Sequence, residues 1–253
     1  GILTSSLKTK LALHEIKATQ DKVKPLKLDE KAVIIGNIRM GFGHYRISIA
    51  MASCAHAMGY TPYWLDFNSF PTAGGKWIQH TNWMYSTASR ISQKSKLFNK
   101  IIWEPLNSEG FRQYTYNSGD QKSAELLAPV CHDLPSDIPY IATHVYPSQG
   151  AVHAGLTHVV NAIPDNWPMA LHLSEGALHT VQTPFAFLGY KKLNGMNKKK
   201  ELLPMPDDVL FNVGHYIDDE LVSNLKEDTE ARVARLNGKK PLRFLMTVGG
   251  AGA

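Results

Sequence analysis

Four consecutive apolar residues, Ala32-Val33-Ile34-Ile35, open the clearest pattern in the chain. A short run of this kind, rich in β-branched side chains, predicts a strand buried on both faces. Gly36 and then Gly41 and Gly43 punctuate the stretch that follows. Alanines and methionines over residues 47–58 have helical composition, and Gly59 is placed to stop the helix. Residues 60–67 (YTPYWLDF) return to strand-forming types. Strand, glycine turn, helix and strand in that order make one βαβ unit of a doubly wound sheet.

The remaining chain is patterned more weakly. Leu7, Leu11, Leu13 and Ile16 recur near helical spacing between lysines, which predicts a short amphipathic helix within residues 3–18 and a polar tether to Glu30. Residues 83–96 and 120–127 read as helices. Strands are expected over 140–143 and 157–163, with a glycine-bearing segment at 148–155 between them, and shorter strands at 179–182 and 209–213. Residues 220–236 read as a polar helix with Leu221, Leu225, Val233 and Leu236 facing inward. Residues 242–248 (LRFLMTV) read as a buried strand that runs into Gly249-Gly250-Ala251-Gly252-Ala253. The expected class is α/β, with a doubly wound Rossmann-like parallel sheet. The expected division is a basic amphipathic leader and tether (1–30), a Rossmann-like domain (31–213), and a linker with the first strand and glycine turn of a second, unfinished domain (214–253). For residues 242–248, an edge strand on the first sheet is the alternative.

Composition narrows the function classes. At 43% hydrophobic and 19% charged the chain is ordinary for a globular protein. Its apolar runs fall far short of the roughly 18 residues that would cross a bilayer. No secretory leader pattern opens the chain, so a cytoplasmic protein is expected. Two cysteines, Cys54 and Cys131, supply neither a disulfide framework nor a four-cysteine zinc site. The formal charge of +5 is concentrated at the leader, where seven lysines face four acids over residues 1–31, and in the five lysines of residues 191–200. Two solvated lysine-rich segments are the plain reading, and peripheral contact with an anionic membrane is the functional one. No zinc-finger or aromatic RNP-type motif points to nucleic acid.

The residues with chemistry begin at Gly41-Phe42-Gly43-His44, expected where the first strand ends and the first helix begins. Open α/β sheets bind ligands at this edge, and unpaired N–H groups at a helix start favour anions. Arg39, His44 and Arg46 add cationic character suited to a phosphate or diphosphate. The spacing is neither the dinucleotide fingerprint nor a phosphate-binding P-loop. His144, His153, His158, His172 and His179 form no H-E-x-x-H pair and have no cysteine partners, so no metal is expected. Asp218-Asp219 sits at an expected helix start, where acids suit the dipole.

The segment IIGNIRMGFGHYRISIAMASCAHAMGY resembles the amino-terminal signature of GT-B-fold glycosyltransferases. Among these it is similar to the monogalactosyldiacylglycerol synthases and to the transferases that add N-acetylglucosamine to the lipid-linked peptidoglycan precursor. Further motifs follow in the family's order: His144-Val-Tyr-Pro-Ser148-Gln-Gly150, Asn161-Ala-Ile-Pro-Asp165-Asn-Trp167, Phe211-Asn-Val-Gly214-His215-Tyr-Ile217, and Met246-Thr-Val-Gly249-Gly250-Ala251-Gly252. The resemblance implies the amino-terminal half of a two-domain fold and an inverting hexosyl transfer from a nucleotide-sugar such as a UDP-sugar to an acceptor, with a lipid as the candidate acceptor. That is a substrate pair, with no cofactor.

Carried onto this chain, the resemblance makes Asp165 the first candidate general base and His44 the second. Arg39, Gly41, Gly43, Tyr45, Arg46, His144, Ser148, Gly150 and Trp167 become acceptor or phosphate contacts, and Gly249, Gly250, Ala251 and Gly252 donor contacts. A turn aspartate between Pro164 and Pro168 is the bland reading of Asp165. The alternative functions are a nucleotide-sugar epimerase or hydrolase of the same fold, and a non-enzymatic module that binds a phosphorylated ligand.

Overall fold

A computed structural model describes residues 4–18, 26–104, 118–168, 172–191 and 206–246. The described residues include a seven-stranded sheet whose strand pairs are all parallel: β1 (His14–Glu15), β2 (Ala32–Asn37), β3 (Thr61–Asp66), β4 (Tyr140–Ala142), β5 (Val159–Ala162), β6 (Leu178–Val181) and β7 (Leu210–Asn212), in the spatial order β1-β3-β2-β4-β5-β6-β7. Helices cover both faces. On one side Tyr45, Ile49, Ala52 and Ala55 of α2 (Phe42–Ala57) pack on Val33, Ile35 and Trp64. On the other, Ile78 of α3 (Ala73–Lys94), Leu127 of α4 (Ser118–Leu127) and Ala151 of α5 (Val145–His153) pack on Ile34, Tyr63 and Leu65. Alternate side chains of β2 and β3 therefore enter opposite cores. That is why these strands read as continuous apolar runs instead of alternating ones. The fold is a Rossmann-like, doubly wound α/β sheet.

The sheet changes direction at β2. From β2 the chain moves outward through α2 to β3, then returns past β2 to β4 on its other side. The crevice beyond the carboxyl ends of β2 and β4 is thus the topological switch point, the edge at which open α/β sheets hold ligands.

Several elements depart from their expected limits. The leader helix α1 spans only Ser5–Lys10. Beyond it Leu11 and Leu13 are buried in the α2 core, and His14–Glu15 pair with Tyr63–Trp64 as an edge strand. Lys8 and Lys17 pair with Glu15, and Lys10 with Glu220, so this part of the basic leader is built into the domain. The expected glycine-bearing segment is helix α5, capped by the His144 ring.

The polar helix breaks into α7 (Asp219–Ser223) and α8 (Leu225–Asn237), which follow α6 (Pro184–Lys191). Its expected inward residues Leu221, Leu225, Val233 and Leu236 are 64, 62, 49 and 52% exposed. Residues 241–246 form no strand, and Phe244, Leu245 and Met246 are exposed. A strand needs a neighbour to take its backbone groups, and this segment has none among the described residues. Residues 247–253, with the expected donor contacts Gly249, Gly250, Ala251 and Gly252, lie outside the described residues, as do Lys198–Lys200.

Helix α3 is seated through a close backbone approach. The Thr72 hydroxyl accepts from Gly75 N–H at 3.1 Å. A Cβ on Gly75 would stand 2.1 Å from the Phe70 carbonyl oxygen, which is backbone and cannot swing aside. Gly75→Ala is therefore expected to destabilise the fold by about 1–3 kcal/mol, read as a lowered urea midpoint with an unchanged slope.

Candidate functional site

Helix α2 begins without a side-chain cap. Gly41 at its N-cap holds φ +80°, a conformation that strains other residues, and exposes the helix start. A Cβ on Gly41 or on Gly43 would meet no atom within 4 Å, so the first-turn backbone is bordered by open space. Helix α5 starts differently. His144 Nδ1 accepts from Tyr146 N–H at 3.1 Å, and Pro147 removes another donor. Of the two helix starts at the switch point, only that of α2 lacks a side-chain cap.

A buried polar set fixes the turn from below. Ser48 Oγ lies 2.6 Å from Thr143 Oγ1, 2.9 Å from the His44 carbonyl oxygen and 3.0 Å from Asn37 Oδ1. With the Thr143 hydroxyl donating to Ser48, and Ser48 donating onward, both hydroxyls are hydrogen-bonded. The set ties the ends of β2 and β4 to the first turns of α2. Asn37 Nδ2, fully buried at the last residue of β2, has no hydrogen-bond partner among the described residues.

His44 stands on this support. Its Nδ1–H donates to the Thr143 carbonyl at 2.8 Å, which assigns the tautomer and leaves Nε2 with a lone pair and no partner among the described residues. Burial lowers the pKa of His44, against smaller upward pulls from the Thr143 hydrogen bond and the Asp165 carboxylate. The ring is therefore neutral at pH 7. His144 packs edge-on to it at 4.6 Å, and burial holds His144 well below the usual histidine range, with His44 and His172 adding to the effect. Tyr146 lies 4.7 Å from His144 and 4.9 Å from Trp77, so an aromatic row runs from His44 to the start of α3.

Asp165, on the loop after β5, is largely exposed. Its Oδ2 lies 3.5 Å from His172 Nε2. His172 is in turn held by Tyr190 OH, 2.8 Å from Nδ1, and by Asn161 Nδ2, which donates to its carbonyl at 2.7 Å. His172 and Thr143 are thus parts of this site that the sequence motifs did not single out as contacts. A buried asparagine reaching a distant carbonyl leaves no spacing signal.

The other expected contacts divide. Arg46 is exposed on the outer side of α2. Arg39 Nε is bound to Asp66 Oδ2 at 2.9 Å, so its charge is already engaged. Burial still raises the Asp66 carboxyl, because desolvation outweighs the nearby guanidinium. Tyr45, also read as a ligand contact, is buried in the α2 core 5.6 Å from Trp64, its hydroxyl without a hydrogen-bond partner among the described residues. Gly150 is a packing position: a Cβ there would stand 3.0 Å from Leu127 Cβ. Ser148 is fully buried on α5, its Oγ without a partner among the described residues. Trp167 is half exposed, 6.1 Å from Phe185.

A cavity of about 590 Å³ lined by Glu125, His132, Asp133 and His153 lies at the opposite end of α5 and shares none of these residues. Among the described residues no three His, Cys, Asp or Glu side chains gather as a metal-binding set. No described helix is long and apolar enough to cross a membrane.

The chain belongs to a family described as a domain of unknown function, DUF6937, whose model matches residues 3–192. A second domain of unknown function, DUF6938, matches residues 205–253. None of the curated proteins and none of the solved structures matches the chain. The boundary between the two matches does not divide the sheet: β7 falls within the second and pairs with β6 of the first.

Proposed function

We propose that the switch point is the acceptor-side half of a sugar-transfer site, in which His44 is the general base. In this reading the acceptor hydroxyl oxygen forms a bond to the anomeric carbon of a nucleotide-sugar. The bond from that carbon to the diphosphate breaks, the acceptor proton passes to His44 Nε2, and a nucleoside diphosphate leaves. The first-turn amides of α2 face the developing negative charge, and Asp165 stabilises the imidazolium that forms. The observation that carries the reading is the state of His44: neutral, oriented by Thr143 through Nδ1, with Nε2 available beside an uncapped helix start. The motif resemblance supplies the reaction class. A second reading, binding of a phosphorylated ligand without transfer, is favoured by the same uncapped start.

Thermal unfolding with UDP- and GDP-sugars, the free nucleoside diphosphates and inorganic diphosphate tests the binding half of this reading. A ligand at a hundred times its dissociation constant adds about 2.7 kcal/mol of stability, which raises Tm by several degrees. The expected response is to nucleotide-sugars, abolished by Gly43→Asp, which places a carboxylate at the amides. Response to inorganic diphosphate alone favours the second reading, and silence with every ligand removes both.

A further inference from the structure

Two histidines at the switch point are fixed in opposite tautomers. His44 donates through Nδ1–H to the Thr143 carbonyl at 2.8 Å, so its Nε2 carries a lone pair. His144 is the reverse. Its Nδ1 accepts from Tyr146 N–H at 3.1 Å and burial keeps the ring neutral, so its proton sits on Nε2. Neither Nε2 has a hydrogen-bond partner among the described residues, and neither is shut from solvent. The two rings are partly exposed and pack edge-on, their centroids 4.6 Å apart. The crevice therefore sets one lone pair and one N–H donor side by side. The Asp165 carboxylate is near enough for its charge to reach His44. From His144 the half-buried rings of Tyr146 and Trp77 continue as an apolar wall, at successive spacings of 4.7 and 4.9 Å.

We infer that the substrate held at this pair is a carbohydrate, a pyranose that gives one hydroxyl proton to His44 Nε2, takes a hydrogen bond from His144 Nε2–H on the oxygen of the adjacent carbon, and lays its apolar face along Tyr146 and Trp77. The inference rests on the sugar-transfer reading for the fate of the first hydroxyl, and it names the class of molecule that receives the sugar. An isolated alcohol would satisfy His44 and leave the His144 N–H covered and unpaired. A site built to hydrogen-bond two groups rejects a ligand that offers one, because the unmatched group loses its water without replacement. In a fully hydroxylated pyranose every hydroxyl has an oxygen on an adjacent carbon, and the C–H face of the ring is apolar. A few convergent polar groups beside aromatic walls are the usual means of orienting such a small ligand. His144 is then a specificity-determining residue: Nδ1 caps α5 while Nε2 reads the substrate.

NMR of the histidine rings, with no sugar donor present, tests it. Methyl pyranosides of glucose, galactose and mannose supply both the paired oxygens and the ring. Glycerol supplies the paired oxygens alone, and cyclohexanol a ring with a single hydroxyl. A pyranoside is expected to shift the His44 and His144 ring signals saturably, with a dissociation constant about tenfold below those of glycerol and cyclohexanol. His144→Asn should weaken pyranoside binding about tenfold and leave cyclohexanol binding unchanged. Asparagine is a favoured helix N-cap, so α5 keeps its start and Tm should change little. The inference is overturned if no pyranoside binds, if glycerol or cyclohexanol binds as tightly, or if His144→Asn binds pyranosides like the wild type. It is equally overturned if a short-chain diacylglycerol moves these signals and the pyranosides do not. Failure of every pyranoside while nucleotide-sugars still raise Tm removes this inference and leaves the sugar-transfer reading. Pyranoside binding with no response to nucleotide-sugars does the opposite.

Discussion

His44→Asn is expected to slow release of nucleoside diphosphate from the sugar donor by about 10²- to 10⁴-fold, with donor affinity and Tm nearly unchanged. Asparagine is the informative replacement. Its Nδ2 donates where His44 Nδ1 does, so the Thr143 hydrogen bond survives while the Nε2 lone pair disappears. A merely structural histidine would tolerate this exchange. The pH profile adds a second readout. Because burial lowers the pKa of His44, the wild-type rate should fall on an acid limb below pH 6.5, and the variant should lose that limb. Asp165→Asn removes a charge that pulls the His44 pKa upward, so it should move the limb to lower pH with a smaller loss of rate. If Asp165→Asn abolishes turnover while His44→Asn leaves it intact, the two residues exchange roles. If neither changes the rate, this site is not where transfer occurs.

The legible parts of the fold were those whose cause is local. The βαβ unit around Gly41–His44 could be read because β2 and β3 are apolar on both faces, and a run of that kind has few other homes. β1 was not legible: two residues, His14 and Glu15, become a strand only because the Tyr63–Trp64 edge is there to pair with. Leu11 and Leu13 were correctly marked as apolar, but they serve the α2 core and not a longer helix. Residues 220–246 show the opposite failure. Their apolar pattern implied burial, yet pattern alone does not supply a partner, and Leu225 and Phe244 stay exposed among the described residues. The site followed the same division. His44 and Asp165 lie on motifs, whereas the His172–Tyr190 and Ser48–Asn37 contacts join residues that nothing in one dimension links. Tyr45 packs in the α2 core beside a neighbour, His44, that does not, because one step along a helix turns a side chain by about 100°.

Acid should destabilise this fold well above the range where carboxylates titrate. His179, buried on β6, accepts from Ser174 N–H through Nε2 at 3.0 Å while its Nδ1 faces the Val209 carbonyl at 3.3 Å, so the native state holds the ring neutral. Burial pushes its pKa down to about 4 from an ordinary 6.5. Above pH 6.5 both folded and unfolded chains carry a neutral ring and stability is full. As pH falls from 6.5 towards 4 the unfolded chain takes up a proton that the folded one refuses. Each pH unit then removes about 1.4 kcal/mol, or about 3 kcal/mol across the window. His44 and His144, both lowered by burial, act in the same direction and steepen the loss. Asp66, raised by burial, opposes it only near the carboxylate range. Urea unfolding at pH 7 and pH 5 measures the slope. His179→Asn should be less stable at pH 7 but should lose about 2 kcal/mol less than the wild type between those pH values. A variant that tracks the wild type in parallel would mean that His179 is protonated in the native state, which its place as acceptor to Ser174 N–H does not allow.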